Sequence, residues 1–565
     1  MVMLGDRMEE TGGPHAANVA SRDVRSLSRL RSLSRLGILA VTTLMAAGCG
    51  DAGSGGGADG GPYDLILRGG IVHDGSGAAA RTQDVAISGD RIVAVGDLSG
   101  QSADTEVDVS GLHVSPGFLD AHSHSGGGLA SEGLSHAQPL LAQGITTVFV
   151  NPDGGGPVDV ATQRSALLEH GLGVNAAQFV SHGSVRRAVV GLDDRAPTAA
   201  EMDEMKEMVR AAMEEGAWGL SSGTFYTPGS YSENSELVEL SREIAPYGGV
   251  YSSHIRDESD YTIGVVAAVD EVIEVGRTAG VTAVVTHIKA LGPPVWGESR
   301  TMIEHIQAAR DDGHRVYADQ YPYIASATGL SAALLPRWAQ AGGQDSLVAR
   351  LHAPESRARI RAAMVENLAR RGGADRIQFR RYTRDESLEG RLLSDVAAER
   401  NVDPIDLALE FFETGSPSIV SFNMDEGDVR ALMSQPWTMT ASDGDLVSWE
   451  VGVPHPRSYG TFPRKIGFYA RDEGVVSLEA AIHSMTGLVA EVFGIADRGR
   501  IEPGAVADVA VFDLAAVNDP AVFTAPHQLA EGMVYVFVAG RAAIRTGEFT
   551  GELAGTVLKK PAPIS

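Results

Sequence analysis

"PGFLDAHSHSGG", Pro116 to Gly127, decides how the rest of this chain is read. Its apolar run ends at Leu119, and Asp120, His122 and His124 follow before a glycine cluster. Histidines at i and i+2 on extended backbone point to the same side, so both imidazoles can reach one ion. A lone His-x-His also arises from a capping or hydrogen-bonded core histidine, so a metal reading needs further ligands from elsewhere in the chain.

Those ligands are present. Downstream, apolar runs such as "GITTVFVN", "GAWGLSSG", "GVYSSHIR", "VTAVVTHIK" and "HRVYADQYPY" alternate with segments of helical period such as "AAEMDEMKEMVRAAMEEG". Repeated β-then-α units predict parallel strands with crossover helices, and at this length a β/α barrel with its chemistry at the C-terminal strand ends. His254 and His287 each close one of these runs, and Asp443 in "TMTASDGD" closes the last. Four imidazoles and a carboxylate at successive strand ends suit one or two zinc ions, with a position left for water.

On either side of the barrel region the texture changes. "YDLILRGGIVHDGSG" and "DVAISGDRIVAVGDLSG" near the start, and "MVYVFVAGRAAIRTGEFTGEL" near the end, are short β-rich runs punctuated by glycine and aspartate. They predict one small domain built from both termini. The expected divisions are 1–61 for leader and linker, 62–115 and 491–555 for the two halves of the small domain, 116–490 for the barrel and 556–565 for a tail. An Arg-rich excursion around 344–413 interrupts the barrel rhythm, either as a cover over the catalytic face or as a subdomain.

Arg22, Arg25, Arg29, Arg31 and Arg35 precede "LGILAVTTLMAAGC", which has the basic and apolar parts of a secretory signal but is too short to span a bilayer. Cys49, the only cysteine, ends that stretch in "MAAGC", which resembles a bacterial lipoprotein lipidation site. "DAGSGGGADGG" then reads as a flexible tether. The expectation is an exported lipoprotein in the periplasm or at the cell surface, touching membrane only through Cys49. The net charge is −27, and loss of Met1 to Gly48 moves it to −29. A nucleic-acid partner would require a basic footprint, and none is visible.

Together, "PGFLDAHSHS", "EEGAWGLSSGTFYTPG", "YSSHIRDE", "VTHIKALG", "DQYPY", "TASDGD", "HPRSYGTFPR" and "GRIEPGAVADVAVFD" resemble the N-acyl-D-amino-acid deacylase (D-aminoacylase) family of the amidohydrolase superfamily. The resemblance runs from about Tyr63 to Gly547. It implies an α/β fold, a distorted (β/α)8 TIM-type barrel with a small β-sandwich formed by both termini. It also implies metal ligands at His122, His124, His254 and His287, and Asp443 as general base and acid. Substrate carboxylate recognition maps onto Lys289, Arg457, Tyr226 and one of Tyr321 or Tyr323. His182 in "FVSHGSVRRAVVG" fits a family segment with a functional or a purely structural role.

This sequence departs from the family at one point. Well-known D-aminoacylases place a metal-binding cysteine after the second strand, where "FVNPDGGGP" has Asp153. Asp153 is therefore expected either to replace the thiolate as a ligand or only to shape the "NPDG" turn. Related amidohydrolases bridge two metals with a carbamylated lysine, yet the barrel region has only Lys206, Lys289 and Lys465, none placed for that role. The resemblance implies hydrolysis of small N-acyl-D-amino acids. The alternatives are another C–N hydrolase, such as a dipeptidase or cyclic amidase, and a lipoprotein that binds metal or ligand without turnover.

Overall fold

The computed structural model of the chain describes residues 63–562. Cys49, the leader and the linker lie outside the described residues. Eight strands supply the barrel: β1 (Phe118–Asp120), β2 (Ile145–Val150), β3 (Asn175–Gln178), β4 (Gly219–Gly223), β5 (Val250–His254), β6 (Thr282–Val285), β7 (Val316–Gln320) and β8 (Thr438–Thr440). All pairings among them are parallel, and β2 and β5 are buried along their whole length, as strands covered on both faces must be.

The strands form two arcs, β1 to β3 and β4 to β8, that meet at two seams. At one seam β3 runs through Phe179 into Val180–Ser181, which pairs with β4, and the Trp218 N–H donates to the Gln178 carbonyl at 2.9 Å. At the other, the Ser442 N–H donates to Asp120 Oδ1 at 2.8 Å and the Asp443 N–H to the His122 carbonyl at 2.9 Å. A side-chain carboxylate thus does part of the work of a sheet ladder where β1 and β8 are only three residues long.

The helices follow from their sequence signals. Ala199–Glu214 begins with a capping box in which Thr198 and Glu201 satisfy each other's backbone N–H groups, and it buries Met205, Val209, Ala212 and Met213 on one face. Val265–Ala279 ends at Gly280, whose φ of +72° is the left-handed cap that glycine adopts without a Cβ penalty. Behind β2 to β4, Phe149 stacks on Phe493 at 4.0 Å and meets Phe179 and Trp218 edge-on or tilted. Each such buried aromatic contributes roughly 1.5–3 kcal/mol.

The two termini form one nine-stranded sheet, in which Val509–Phe512 pairs antiparallel with His113–Pro116. The two-residue period of Val509–Phe512 divides its side chains between two cores. Val509 and Val511 join Leu67, Val85, Ile87 and Val114 inside the small domain, while Ala510 and Phe512 join Phe118, Ile145 and Val148 of the barrel.

The excursion is wider than its arginine content indicates. Ser326–Gly329, Ile377–Arg381 and Ser418–Ser421 make a three-stranded antiparallel sheet, and helices between them close a separate core around Leu330, Ile360, Phe379 and Phe412. The expected tail also carries structure: Val557–Leu558 pairs in parallel with β3, burying Val557. Among the described residues no helix is long and apolar enough to cross a membrane.

Candidate metal centre

Asp120 ends β1 in full burial and accepts from the His122 N–H at 3.3 Å as well as from Ser442 across the seam. Burial raises its pKa to about 6, against these hydrogen bonds. By tying the turn after β1 to the turn after β8 it brings His122 and His124 up to Asp443. His124 Nε2 lies 3.1 Å and His122 Nε2 3.5 Å from Asp443 Oδ1.

Asp153, on the turn after β2, stands at the middle of the cluster. Its Oδ1 lies 3.5 Å from His122 Nε2, 3.4 Å from His287 Nε2 and 3.7 Å from His254 Nδ1, and its Oδ2 lies 3.3 Å from His124 Nε2. The side chains fall into two groups able to hold an ion, one of His122, His124, Asp153 and Asp443, the other of Asp153, His254 and His287. Asp153 belongs to both. Zinc bonds of about 2.0–2.1 Å in a tetrahedron place ligand atoms roughly 3.4 Å apart, which is the spacing found here.

Hydrogen bonding supports the same fit. Asp153 Oδ1, both ring nitrogens of His122 and both of His254 are buried without a hydrogen-bond partner, an arrangement that is unfavourable unless a cation collects them. Asp153, His287 and Asp443 also sit at positive φ, +55°, +36° and +48°, at a cost of order 1–3 kcal/mol each. Burial pushes the Asp153 and Asp443 carboxyls up, but the imidazoles around both, with Arg457 beside Asp443, hold them well below the usual carboxylate range. Those carboxylates in turn lift His124 and His287 to about 9 against burial.

Glu258 is the residue that reading the sequence missed. It lies four residues after His254, and its Oε1 lies 3.1 Å from His287 Nδ1 and also takes the Lys289 ammonium. The Lys289 ammonium also lies 2.8 Å from His287 Nδ1, so Glu258, Lys289 and His287 form one buried charged cluster that fixes the ring with Nε2 facing Asp153. Lys289 further donates to the His287 carbonyl at 2.8 Å. The only earlier sign of Glu258 was its place in "YSSHIRDE", which a surface acid would share.

A cleft of about 370 Å³ opens over the cluster, lined by Tyr226, Lys289, Tyr321, Arg371, Arg380 and Arg457 among others. Arg457 Nη1 lies 2.8 Å from Asp443 Oδ2, and the guanidinium stacks 4.6 Å over the Tyr321 ring. His455 of "HPR" accepts from the Arg457 N–H at 3.0 Å and meets the Ala325 carbonyl at 3.0 Å, which fixes where Arg457 starts. Tyr226 packs on His254 at 4.6 Å with its hydroxyl 3.2 Å from Thr328 Oγ1. Burial pushes the Tyr226 and Tyr321 phenols far up, so both remain donors.

The pairing of Tyr321 with Tyr323 as alternatives resolves in space. Tyr321 lines the cleft, whereas Tyr323 does not and turns its hydroxyl to Asp519 at 3.4 Å, because the chain leaves β7 through Pro322 and the strand alternation ends. His182 is buried against Glu236 at 2.8 Å, beside Arg186, outside the cluster. Lys206 pairs with Glu239 on the helical surface and Lys465 bonds Thr440 and Ser484, so neither reaches the ligands. Arg371 and Arg380 come from the excursion, whose many arginines hid them in the sequence.

Comparison with known proteins agrees with this geometry. The amidohydrolase family model matches residues 105–544. A D-aminoacylase of Alcaligenes xylosoxydans xylosoxydans is 37% identical over 89% of this chain and 98% of its own. A solved D-aminoacylase, described with a binuclear metal centre, is 35% identical with a TM-score of 0.75, covering 88% of this chain and all of that one. The N-acyl-D-glutamate deacylase of Bordetella bronchiseptica, solved with zinc and a phosphonate mimic of the tetrahedral intermediate, is 34% identical with a TM-score of 0.76 over the same shares. With an acid-and-imidazole cluster at the strand ends and relatives matched over nearly their whole length, the chain belongs to the amidohydrolase family, in its D-aminoacylase branch, and is a metal-dependent amide hydrolase.

Proposed function

We propose that this enzyme hydrolyses the amide bond of N-acyl-D-amino acids with zinc, releasing a carboxylate and a free D-amino acid. The observation that carries the reading is the double membership of Asp153, one carboxylate shared by two sets of imidazoles, each with one ring that has no hydrogen-bond partner (His122 and His254), beneath a cleft with fixed cations. His122, His124, Asp153, His254, His287 and Asp443 would hold one or two ions. Zinc bound there supplies a Lewis acid and brings the pKa of its water toward about 7.

The protein's own groups do the rest. Asp443 is held ionised by Arg457 and its imidazole neighbours, so it can take the proton of the attacking water. It then passes that proton to the leaving nitrogen, which must be protonated before the C–N bond breaks. Arg457, Tyr226 and Tyr321 meet the substrate α-carboxylate, while Lys289 holds Glu258 and the His287 loop in place. The D preference is carried by the relatives' activities, and chelation tests the metal requirement: stripping the enzyme should abolish amine release from N-acetyl-D-amino acids, and added zinc should restore it. Turnover that survives complete metal removal would refute the reading.

The same proposal includes location. The basic-then-apolar leader, Cys49 after Gly48 and the glycine-rich Asp51 to Gly61 support an exported enzyme tethered by lipid at Cys49. Cys49→Ser should move the protein from the membrane to the soluble fraction, and an unchanged distribution would contradict the tether.

A further inference from the structure

Four fixed cations line the cleft, and three have carboxylate partners: Lys289 with Glu258, Arg380 with Asp445 and Arg457 with Asp443. Arg371 is the exception. Among the described residues it has no carboxylate partner, although it is only 1% exposed. It follows the helix Pro354–Arg370 as its C-terminal cap, with its N–H bonded to the Asn367 and Leu368 carbonyls. The groups that contact its guanidinium are neutral, and a second guanidinium, Arg337, is near enough to repel it. Asn423, with its amide oxygen turned inward, accepts from Nη1 at 3.2 Å, and the Tyr261 ring lies 5.9 Å away. Arg371 Nε has no acceptor.

A guanidinium cannot shed its proton in a protein, so a buried one without a counter-ion is strongly unfavourable until an anion arrives. Arg457 Nη1 likewise lacks a well-aligned acceptor, close as Asp443 is. Two guanidinium groups in one cleft, each with an unused buried donor, match a substrate with two carboxylates. Arg457 touches Asp443, where the scissile nitrogen and its neighbouring α-carboxylate must lie. Arg371 belongs instead to the excursion wall, with Ser326, Thr328 and Ser418, on a different element from Arg457 and so available to a second carboxylate.

We infer that Arg371 binds a side-chain carboxylate of the substrate, making N-acyl derivatives of D-aspartate or D-glutamate the preferred class. This rests on the deacylase reading above. The test compares N-acetyl-D-glutamate with the near-isosteric N-acetyl-D-glutamine, and the aspartate with the asparagine derivative, using the zinc-loaded full chain and its R371M and R371K variants. A lost charge-assisted contact predicts a wild-type kcat/KM ratio of about 100-fold in favour of the acids. R371M should bring that ratio near one, by a loss on the acids much larger than any loss on the amides, and R371K should keep part of it.

Equal rates on acid and amide by the wild type would overturn the assignment. So would an equal loss on both by a folded, metal-replete R371M, which would place Arg371 on the α-carboxylate. Should R371M fail to fold, the wild-type ratio and R371K decide. Absence of turnover on any N-acetyl-D-amino acid would defeat the deacylase reading itself, whereas turnover without acidic preference would defeat only the role of Arg371.

Discussion

Asp153 Oδ1 stands 3.4 Å from His287 Nε2 across the barrel mouth, linking the turn after β2 to the turn after β6. The same oxygen faces His122 and His254, so one carboxylate joins the two halves of the centre. Asp153→Ala should therefore lower bound zinc by at least one equivalent, read by elemental analysis after dialysis, with the fold retained by circular dichroism. Full metal content in that variant would reduce Asp153 to a turn residue.

Asp443→Asn keeps the side-chain volume and leaves the Asp153, His254 and His287 group intact. It should stay folded and hold metal while losing about 10²–10⁴-fold in kcat, the usual contribution of a positioned acid and base. Near-normal turnover would remove Asp443 from the proton path.

Glu258 should act through His287. Glu258→Gln removes the negative charge that balances Lys289 beside His287, and the loss of a charged partner behind a ligand costs about 10–100-fold in metal affinity or activity. Competitive zinc titration measures this, and an unchanged affinity would contradict the role.

Lys465 gives the fold a pH dependence. It is buried beside β8, bonded only to the hydroxyls of Thr440 and Ser484, and burial lowers its pKa from 10.5 to about 7. Between those two values the unfolded chain binds a proton that the folded chain does not, so this group's contribution to stability rises with pH, by up to about 1.4 kcal/mol per pH unit. Urea unfolding from pH 7 to pH 10 should show the wild type gaining on Lys465→Met as pH rises. A gap that stays constant would contradict the assignment.

The barrel and the histidines were legible because their signals are local. Apolar runs ending in histidine mark strand ends, and His122 with His124 has a spacing that only extended backbone turns into a shared face. The seam between β1 and β8 was not legible, because Asp120 and Ser442 are 322 residues apart and meet through side chains. Glu258 and Arg371 were hidden for a related reason: their significance lies in which charges they meet or fail to meet, and the sequence does not state pairings. The excursion's true extent was masked by strands of four and five residues that lack strong alternation.

The most direct measurement is amine release by the zinc-loaded full chain from matched N-acetyl-D- and N-acetyl-L-amino acids, with acidic, polar and apolar side chains. The account predicts zinc-dependent turnover of D forms and none of their L counterparts. Turnover of L forms at equal rates, or of neither series with metal bound, would contradict it.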